Sequence, residues 1–379
     1  MTGVGSSLYT THTQIICYTI VMFGHKKIRV AINGFGRIGR AFFRVAQARK
    51  EIDIVAINDL GDINNLAYLL KYDTVYGAAT FPVTVSEKPR PSIVAGKKKV
   101  AFVSEKDPAA LPWKEMKIDL VVEASGFFTK YAEAKGHLLA GARRVVITAP
   151  AKDEPEQAGV MGGTVLMGIN ESLLQTCSIS SNASCTTNAA SPVIQILHEA
   201  IGIEKAMLNT THAYTASQRI VDSPNAKDYR EGRAGAANIV PSSTGAAIAV
   251  TKAIPDLAGK FDGIAMRVPV TCGSIADITF VAKRDTTVEE VNKILSRAAK
   301  DPRWEKVFSV TSEPVVSSDV VGSKYASIAD LSFTRVVGGP SNVLGTGNLV
   351  KVLAWYDNEM GYTYALVEHV IESGKHIRR

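Results

Sequence analysis

Ile28-Arg29-Val30-Ala31-Ile32-Asn33-Gly34-Phe35-Gly36-Arg37-Ile38-Gly39 is the stretch on which the fold turns. Its first six residues are mostly apolar and read as a short buried strand. A G-x-G-x-x-G triplet follows at once, and Ile38, Phe42, Val45 and Ala46 then continue as a helical stripe. Glycines alone mark ordinary turns, but strand, glycine turn and helix in this order make a dinucleotide-binding unit. Gly34 makes the tight turn, Gly36 lets the backbone approach a pyrophosphate, and Gly39 lets helix and strand pack closely. The helix N-terminus, with its free N–H groups, faces the phosphates.

Working outward, Asp53–Ile57 is a second strand ending at Asn58-Asp59. Asp59 stands roughly 20 residues past Gly39, the spacing of a carboxylate that binds ribose hydroxyls. With Gly61 and Asp62 next, a turn or cap aspartate is the alternative. Further strands are expected at Lys99–Val103, Ile118–Glu123 and Arg144–Thr148, the last two flanking a helix over Thr129–Ala140. That alternation implies a mostly parallel sheet with helices on both faces. Ser125 follows the fourth strand at its carboxyl end, where such sheets bind ligands. Gly162-Gly163 reads as a turn before a strand over Thr164–Ile169.

The second half changes character. Ala206–Thr211 reads as a strand delivering His212, and residues 215–238 are polar, aperiodic and rich in Gly and Pro. A segment that long without structure is usually functional or forms an interface. Thr244–Ala253 reads as a helix, Gly263–Val268 as a strand carrying Arg267, and Ser274–Lys283 as a longer strand. Thr287-Val288-Glu289-Glu290 is a capping-box pattern opening another helix. Ala326–Val336 and Leu349–Trp355 read as strands, and Tyr362–Ser373 as a C-terminal helix. The fold class is therefore α/β: a Rossmann-type doubly wound parallel sheet plus a second, α+β domain with a mostly antiparallel or mixed sheet.

Between the halves lies Ser181-Asn182-Ala183-Ser184-Cys185-Thr186-Thr187-Asn188. Val193, Ile196, Leu197, Ala200 and Ile201 then repeat as one face of an amphipathic helix, which Gly202 ends. Pro192 predicts a kink or a delayed start. Cys185 falls near the helix N-terminus, a setting that lowers a thiol's pKa and supplies thiolate. A buried structural cysteine is the common alternative. The hydroxyl and amide neighbours argue against it, because an apolar pocket would not be lined by Ser184, Thr186, Thr187 and Asn188.

The chain has 379 residues, 46% hydrophobic and 21% charged, which suits two globular domains. No apolar run approaches the ~18 residues of a membrane span. Ile15–Phe23 is mostly apolar but lacks the basic flank of a secretory signal and the arginines of a transit peptide. The four cysteines, Cys17, Cys177, Cys185 and Cys272, show neither C-x-x-C nor zinc-ligand spacing. No metal site is expected, and a reducing compartment, the cytoplasm, fits best. The net charge of +7 is dispersed apart from Lys97-Lys98-Lys99 and Arg378-Arg379, so nucleic acid is not the expected partner.

The cysteine octet resembles the active-site segment of the phosphorylating glyceraldehyde-3-phosphate dehydrogenases. The string Thr211-His212-Ala213-Tyr214-Thr215-Ala216-Ser217-Gln218 is similar to that family's histidine segment. So are Asn33–Arg40, Ala56–Leu60, Ser243–Ala247, Met266–Pro269 and Trp355–Glu359, and the likeness covers about residues 26–375. It implies that the Cys185 thiolate attacks an aldehyde while His212 serves as base. Hydride passes to the cofactor, and inorganic phosphate then cleaves the thioester. It also implies that Thr215 and Arg267 hold the substrate phosphate, while Ser184, Thr186, Arg233, Thr244 and Gly245 hold the attacking one. Gly34, Phe35, Gly36, Arg37, Ile38, Gly39, Asp59, Ser125, Asn358 and Tyr362 are the expected cofactor contacts. Asn358 would fix the carboxamide, and Arg37 would serve the pyrophosphate or the substrate domain.

NAD is the expected cofactor. Asp59 would repel a 2′-phosphate, and Leu60 and Pro224 fit the family's NAD pattern, although the Ser223 hydroxyl pulls the other way. The implied substrates are glyceraldehyde 3-phosphate and inorganic phosphate, giving 1,3-bisphosphoglycerate, a glycolytic step; erythrose 4-phosphate is the alternative. A homotetramer is implied, with 215–238 lining a neighbour's cofactor site. The expected division is an extension (1–25), an NAD-binding domain (26–184, completed by a helix within 358–379) and a catalytic domain (185–357). Ala189 stands where many members carry a second cysteine, and 338–347 looks like an enlarged loop.

Overall fold

The structure, a computed structural model, describes residues 27–226, 228–339 and 345–377. The extension 1–25, Arg378-Arg379 and the centre of the 338–347 loop lie outside the described residues. Two sheets organise the rest. The first has nine strands, in the order Gly162–Thr164, Ile179–Ser181, Arg144–Ile147, Leu120–Glu123, Ile28–Asn33, Ile52–Asn58, Lys98–Val103, Ser92–Ala95 and Val83–Ser86. The first seven are parallel, and the last two add antiparallel at the edge.

Strand alternation explains why this sheet needs cover on both faces. Val30, Ile32, Leu120, Val122 and Val146 enter one core, while Ala31, Val121, Val145 and Ile147 enter the other. The first core is closed by the helix Arg37–Ala46 and by the C-terminal helix Met360–Lys375, through Leu366, Val367 and Val370. Gly374 lets that helix sit directly on the first strand, since a Cβ there would lie 2.1 Å from Ile28 Cδ1. The helix Tyr131–Leu139 and Trp113 serve the second core.

The second sheet has seven strands, in the order Val240–Ser243, Phe261–Val268, Ile203–Ala213, Ser274–Thr287, Thr346–Tyr356, Ser327–Gly338 and Phe308–Thr311. It is mixed: Ile203–Ala213 runs parallel to Phe261–Val268 and antiparallel to Ser274–Thr287. The helix Cys185–Ile201 packs on one face of it and shares its core with the helices Ala246–Ala253 and Val288–Ala298.

Several local expectations are corrected. The cysteine helix is not simply amphipathic: Thr186–Ile194 are all buried, and Ala200 is exposed. It is a central helix packed on several sides rather than a surface one. Its start is not delayed by Pro192 either, because Ser184 caps it and Cys185 is its first residue. Gly162 and Gly163 belong to a strand, not to a turn before one. A Cβ on Gly162 would meet the Ile179 carbonyl oxygen at 2.7 Å, so glycine admits the neighbouring strand. The helix placed at Thr244 begins at Ala246.

Candidate active site

The strand order reverses between Leu120–Glu123 and Ile28–Asn33, the switch point at which open α/β sheets bind ligands beyond the strand carboxyl ends. A cleft of roughly 370 Å³ lies there, lined by Asn33, Gly34 and Gly36, by Asn58, Asp59 and Leu60, and by Ser125 and Phe127 among others. Gly34 adopts φ +91°, and a Cβ would strike Ser125 N at 2.4 Å. On Gly39 a Cβ would strike the Gly34 carbonyl oxygen at 2.1 Å. Gly36 differs: a Cβ there would meet nothing within 4 Å. No protein contact demands glycine at that position, so the open side of the turn is a cradle that a side chain would fill, as a dinucleotide pyrophosphate requires.

Asp59 combines the two roles weighed for it. Its Oδ1 accepts the Gly61 N–H at 2.8 Å, as a turn aspartate would, while Oδ2 accepts the Phe35 N–H at 2.6 Å and the residue lines the cleft. Phe35 is fully buried, and its N–H is taken up by Asp59. Arg37 reaches neither a pyrophosphate pocket nor the substrate domain through its hydrogen bonds. Its guanidinium bonds Asp73 at 2.6 Å and binds both carboxylate oxygens of Glu359, so it ties the helix after the glycine turn to the start of the C-terminal helix. Ser125 donates its N–H and hydroxyl to Glu123. Ile38 is partly buried against the first core.

The nucleophile segment is presented by a strained turn. Ala183 is left-handed (φ +54°) and fully buried, an unusual conformation for a residue with a Cβ. Ser181 Oγ accepts its N–H at 3.0 Å, and the Tyr362 hydroxyl donates to its carbonyl at 3.2 Å. Asn188 Nδ2 donates to the carbonyls of Asn182 and Ser184 at 2.8 and 3.0 Å. Ser184 then caps the helix, its Oγ accepting the Thr187 N–H at 3.1 Å. Cys185, at the junction of both large cores, is left partly exposed.

His212 reaches it from the second sheet. Along Ile203–Ala213 burial alternates, so Ala206, Leu208, Thr210 and His212 share the inward face. Cys185 Sγ and His212 Nε2 are 3.3 Å apart. His212 Nδ1 donates to the Ala213 carbonyl at 2.6 Å, a partner that can only accept, so the tautomer leaves Nε2 free to take the thiol proton. Register places Arg267 directly beside His212 on the parallel neighbour. Arg267 Nε and Nη1 are buried without a hydrogen-bond partner. An unpaired buried guanidinium is costly, and an anion is its natural complement.

These surroundings correct the expectation of a lowered thiol pKa. Desolvation pushes the Cys185 thiol up, opposed by Arg267 and the Thr186 N–H. Desolvation also pulls His212 down to about 3, with Arg267 adding to the effect. Each direction follows from the cost of placing one lone charge in this pocket. Both groups therefore rest neutral, and the 3.3 Å contact is the path by which a proton can pass between them.

The remaining expected residues divide. Thr186 lies beside the sulfur, but its hydroxyl is buried and paired with Tyr356 Oη at 2.9 Å. Thr215 follows the His212 strand, its hydroxyl 3.1 Å from that of Ser217. Thr244 and Gly245 stand at the start of the helix Ala246–Ala253, where Thr244 Oγ1 accepts the Ala246 N–H at 3.2 Å. Arg233 is not brought to the cysteine turn: it pairs with Asp222 at 2.9 Å on an exposed loop, and none of its hydrogen bonds reaches Ser184, Thr186 or Thr244. Asn358 Oδ1 accepts from Gly273 N (3.2 Å) and Ser274 Oγ (3.0 Å), while its Nδ2 takes no partner among the described residues. Tyr362 is buried beneath the turn rather than in the cleft.

Other contributors escaped the sequence reading. Phe127, 81% exposed, lines the cleft. Its place just after Ser125-Gly126 at a strand end was the available signal. Tyr356 joins the nucleophile's helix to the base's strand, its hydroxyl also meeting Thr210 Oγ1 at 2.7 Å and its ring lying edge-on to His212. Among the described residues, no cluster of three or more His, Cys, Asp or Glu could hold a metal.

Comparison with known proteins agrees with this geometry. Residues 28–131 match the family described as "Glyceraldehyde 3-phosphate dehydrogenase, NAD binding domain", and residues 184–358 match its "C-terminal domain". A Streptomyces avermitilis protein named glyceraldehyde-3-phosphate dehydrogenase 1 is 44% identical over 90% of this chain and 97% of its own length. The Streptomyces coelicolor protein is 43% identical over 92% and 99% of the two chains. The Geobacillus stearothermophilus protein is 43% identical over 90% and 96%.

Proposed function

The chain belongs to the glyceraldehyde 3-phosphate dehydrogenase family, and on that premise we propose an NAD-dependent, phosphorylating oxidation of glyceraldehyde 3-phosphate to 1,3-bisphosphoglycerate. The observation that carries the reading is the Cys185–His212 contact beside the unpaired Arg267 guanidinium. His212 Nε2 takes the Cys185 proton as the sulfur adds to the aldehyde carbon, then returns it to the new oxyanion, giving a hemithioacetal. The Cys185 backbone N–H, at the first position of its helix and free of an intrahelical partner, points donor capacity at that oxygen.

The glycine turn, Asp59 and Asn358 Nδ2 would hold the pyrophosphate, ribose and carboxamide of NAD, which would serve as the hydride acceptor when bound. His212 accepts the hydroxyl proton as the carbon is oxidised, leaving a thioester on Cys185. Phosphate attack expels the Cys185 thiolate and releases the acyl phosphate. Arg267, with Thr215, holds the substrate's own phosphate; Ser184, Thr186, Thr244 and Gly245 surround the attacking one. For Arg233 to join them, its Asp222 pair must open.

The two sheets support a division in which 26–184 with the helix in 358–379 binds NAD and 185–357 carries the chemistry, with 1–25 read as an extension. A homotetramer is supported by large exposed apolar residues on the 215–238 segment, Ile220, Val221 and Tyr229, and on the outer sheet face, Met207 and Leu349. Light scattering showing a fully active monomer would refute it. No helix among the described residues is long and apolar enough to cross a membrane, and a cytoplasmic location accords with three free cysteines there. The deciding test is kcat/KM with glyceraldehyde 3-phosphate and with erythrose 4-phosphate. A preference for the latter would reassign the substrate. Asp59→Ala should relax NAD preference over NADP; unchanged preference would show that Asp59 does not set it.

A further inference from the structure

The C-terminal helix reaches the cysteine turn through a second buried group, distinct from Tyr362. His369 is fully buried, a little past the middle of a helix that packs mainly apolar residues on the first sheet. A buried imidazole in such a place is costly unless both ring nitrogens are used. Both are. Nδ1 lies 3.0 Å from Asn182 Oδ1, and Nε2 lies 2.7 Å from Ser180 Oγ. An amide oxygen can only accept, so with the Asn182 amide in this orientation Nδ1 carries the hydrogen and Nε2 accepts from the Ser180 hydroxyl, the Val165 backbone also facing the ring. Burial keeps the ring neutral, holding it far below the usual histidine range, at about 3.

Asn182 is the residue immediately before the left-handed Ala183. Its backbone carbonyl takes one Asn188 Nδ2 hydrogen and its N–H bonds the Ile147 carbonyl at 3.0 Å. Its side-chain oxygen has the His369 ring as its partner. Its Nδ2 sits near the Tyr362 hydroxyl without a well-formed hydrogen bond. Losing the imidazole would therefore free one wall of a turn that a non-glycine residue enters only under constraint.

We propose that His369 is a positioning residue for the nucleophile. Through Nδ1–H to Asn182 Oδ1, it holds the turn that sets the distance from Cys185 Sγ to His212 Nε2. This rests on the reading of Cys185 as nucleophile, and the geometry behind it is the juxtaposition of His369, Asn182 and Ala183. Ser180 supports the ring from the other side but touches nothing in the turn through its own side chain.

The two ring nitrogens can be imitated one at a time. In His369→Asn the side-chain amide stands near the Nδ1 position and keeps a donor for Asn182. In His369→Gln the amide reaches the Nε2 position and keeps only the Ser180 contact. The purified full-length proteins are compared by iodoacetamide labelling of Cys185 across pH and by steady-state kcat and KM for NAD. His369→Gln and His369→Leu should lower labelling and kcat about tenfold, the scale of a sub-ångström misplacement, with KM for NAD within about twofold. His369→Asn should recover most of the loss.

Equal behaviour of the Asn and Gln variants would overturn the proposal, as would wild-type labelling and kcat in a folded His369→Leu protein. If the Leu variant does not fold, the Asn–Gln comparison decides alone. Labelling reads the thiol without the dehydrogenase reaction. Failure of this inference, with unchanged labelling, is thus separable from failure of the functional reading, which would show as oxidation persisting in Cys185→Ser.

Discussion

The turn at Asn33–Arg37 and the turn at Ser181–Cys185 each lead from the carboxyl end of a parallel strand into the first turn of a helix. The first enters through Gly34 at φ +91° and the second through Ala183 at φ +54°. A glycine takes up such a backbone at no steric cost, so the first turn is written locally. Alanine pays for it, and the second turn persists because the side chains of Ser181, Asn188 and Tyr362 hold its peptide groups, the last two from outside the turn. The binding turn is thus permissive and self-made, whereas the reactive turn is imposed by its neighbours. That contrast suits their tasks: a pyrophosphate needs open backbone N–H groups, and a nucleophile needs a fixed distance to its base.

The sharpest way to separate the two turns is to disable one chemically. Cys185→Ser should abolish aldehyde oxidation, a loss beyond about 10⁴-fold for a covalent nucleophile, while NAD titration stays close to wild type. Near-normal turnover would break the assignment of roles. His212→Asn should follow, with kcat down by two to four decades on the usual scale of general-base loss. Its pH profile carries the sign. With no imidazole to receive the proton, Cys185 must ionise to solvent, and burial has already pushed its thiol up. The midpoint of alkylation against pH should therefore rise by about one unit or more relative to wild type.

On the glycine side, Gly34→Ala and Gly36→Ala should part company. The first adds a Cβ 2.4 Å from Ser125 N at a left-handed φ. It should cost on the order of 3 kcal/mol or more of stability in denaturant titration. The second points into open space. It should leave stability within about 0.5 kcal/mol but weaken NAD about tenfold or more, because the methyl occupies the pyrophosphate's place. If Gly36→Ala bound NAD normally, the cradle would lie elsewhere.

Acid should strike the reactive turn first. His212 and His369 are held near 3 when folded, against about 6.5 unfolded, so the unfolded chain binds more protons between those values. Stability should fall as pH drops below about 6.5, by up to ~1.4 kcal/mol per pH unit for each histidine. His212→Asn should remove one such share of the slope; an unchanged slope would show that the ring is not held neutral. The smallest effect is expected from Ala183→Gly. Relief of left-handed strain, worth about 1–2 kcal/mol, is offset by a lost buried methyl and a freer unfolded chain. The net change in stability should stay below about 1 kcal/mol, and a larger loss would mean that the alanine methyl matters more than its backbone.

Legibility in the sequence followed the same division. The strand Ile28–Asn33, the glycine turn and the helix after it were readable because periodicity, glycine spacing and order all concern adjacent residues. The second sheet was readable as mostly antiparallel or mixed, and its two parallel pairs emerged only in the structure. The strand Ile179–Ser181 was not readable, being three residues long with two of them serine, and neither was the edge hairpin of Val83–Ser86 and Ser92–Ala95. Side-chain commitments were the least legible. Arg37 looks free in sequence, yet Glu359 lies at the far end of the chain and claims it. Arg233 looks like a phosphate ligand, yet Asp222 holds it.

What the chain determined by itself was therefore the set of elements, the glycine turn, and Cys185 at the head of a capped helix: properties fixed by φ/ψ preference, periodicity and local hydrogen bonding. Tertiary structure alone decided the rest. Parallel register set Arg267 beside His212, antiparallel register brought Tyr356 beneath it, and the C-terminal helix closed over Ala183. Charge followed from that packing. Sequence position favours a thiolate at a helix N-terminus, but the desolvation created when both cores meet at Cys185 outweighs it. Desolvation depends on everything around a group, which no stretch of neighbours in sequence can state.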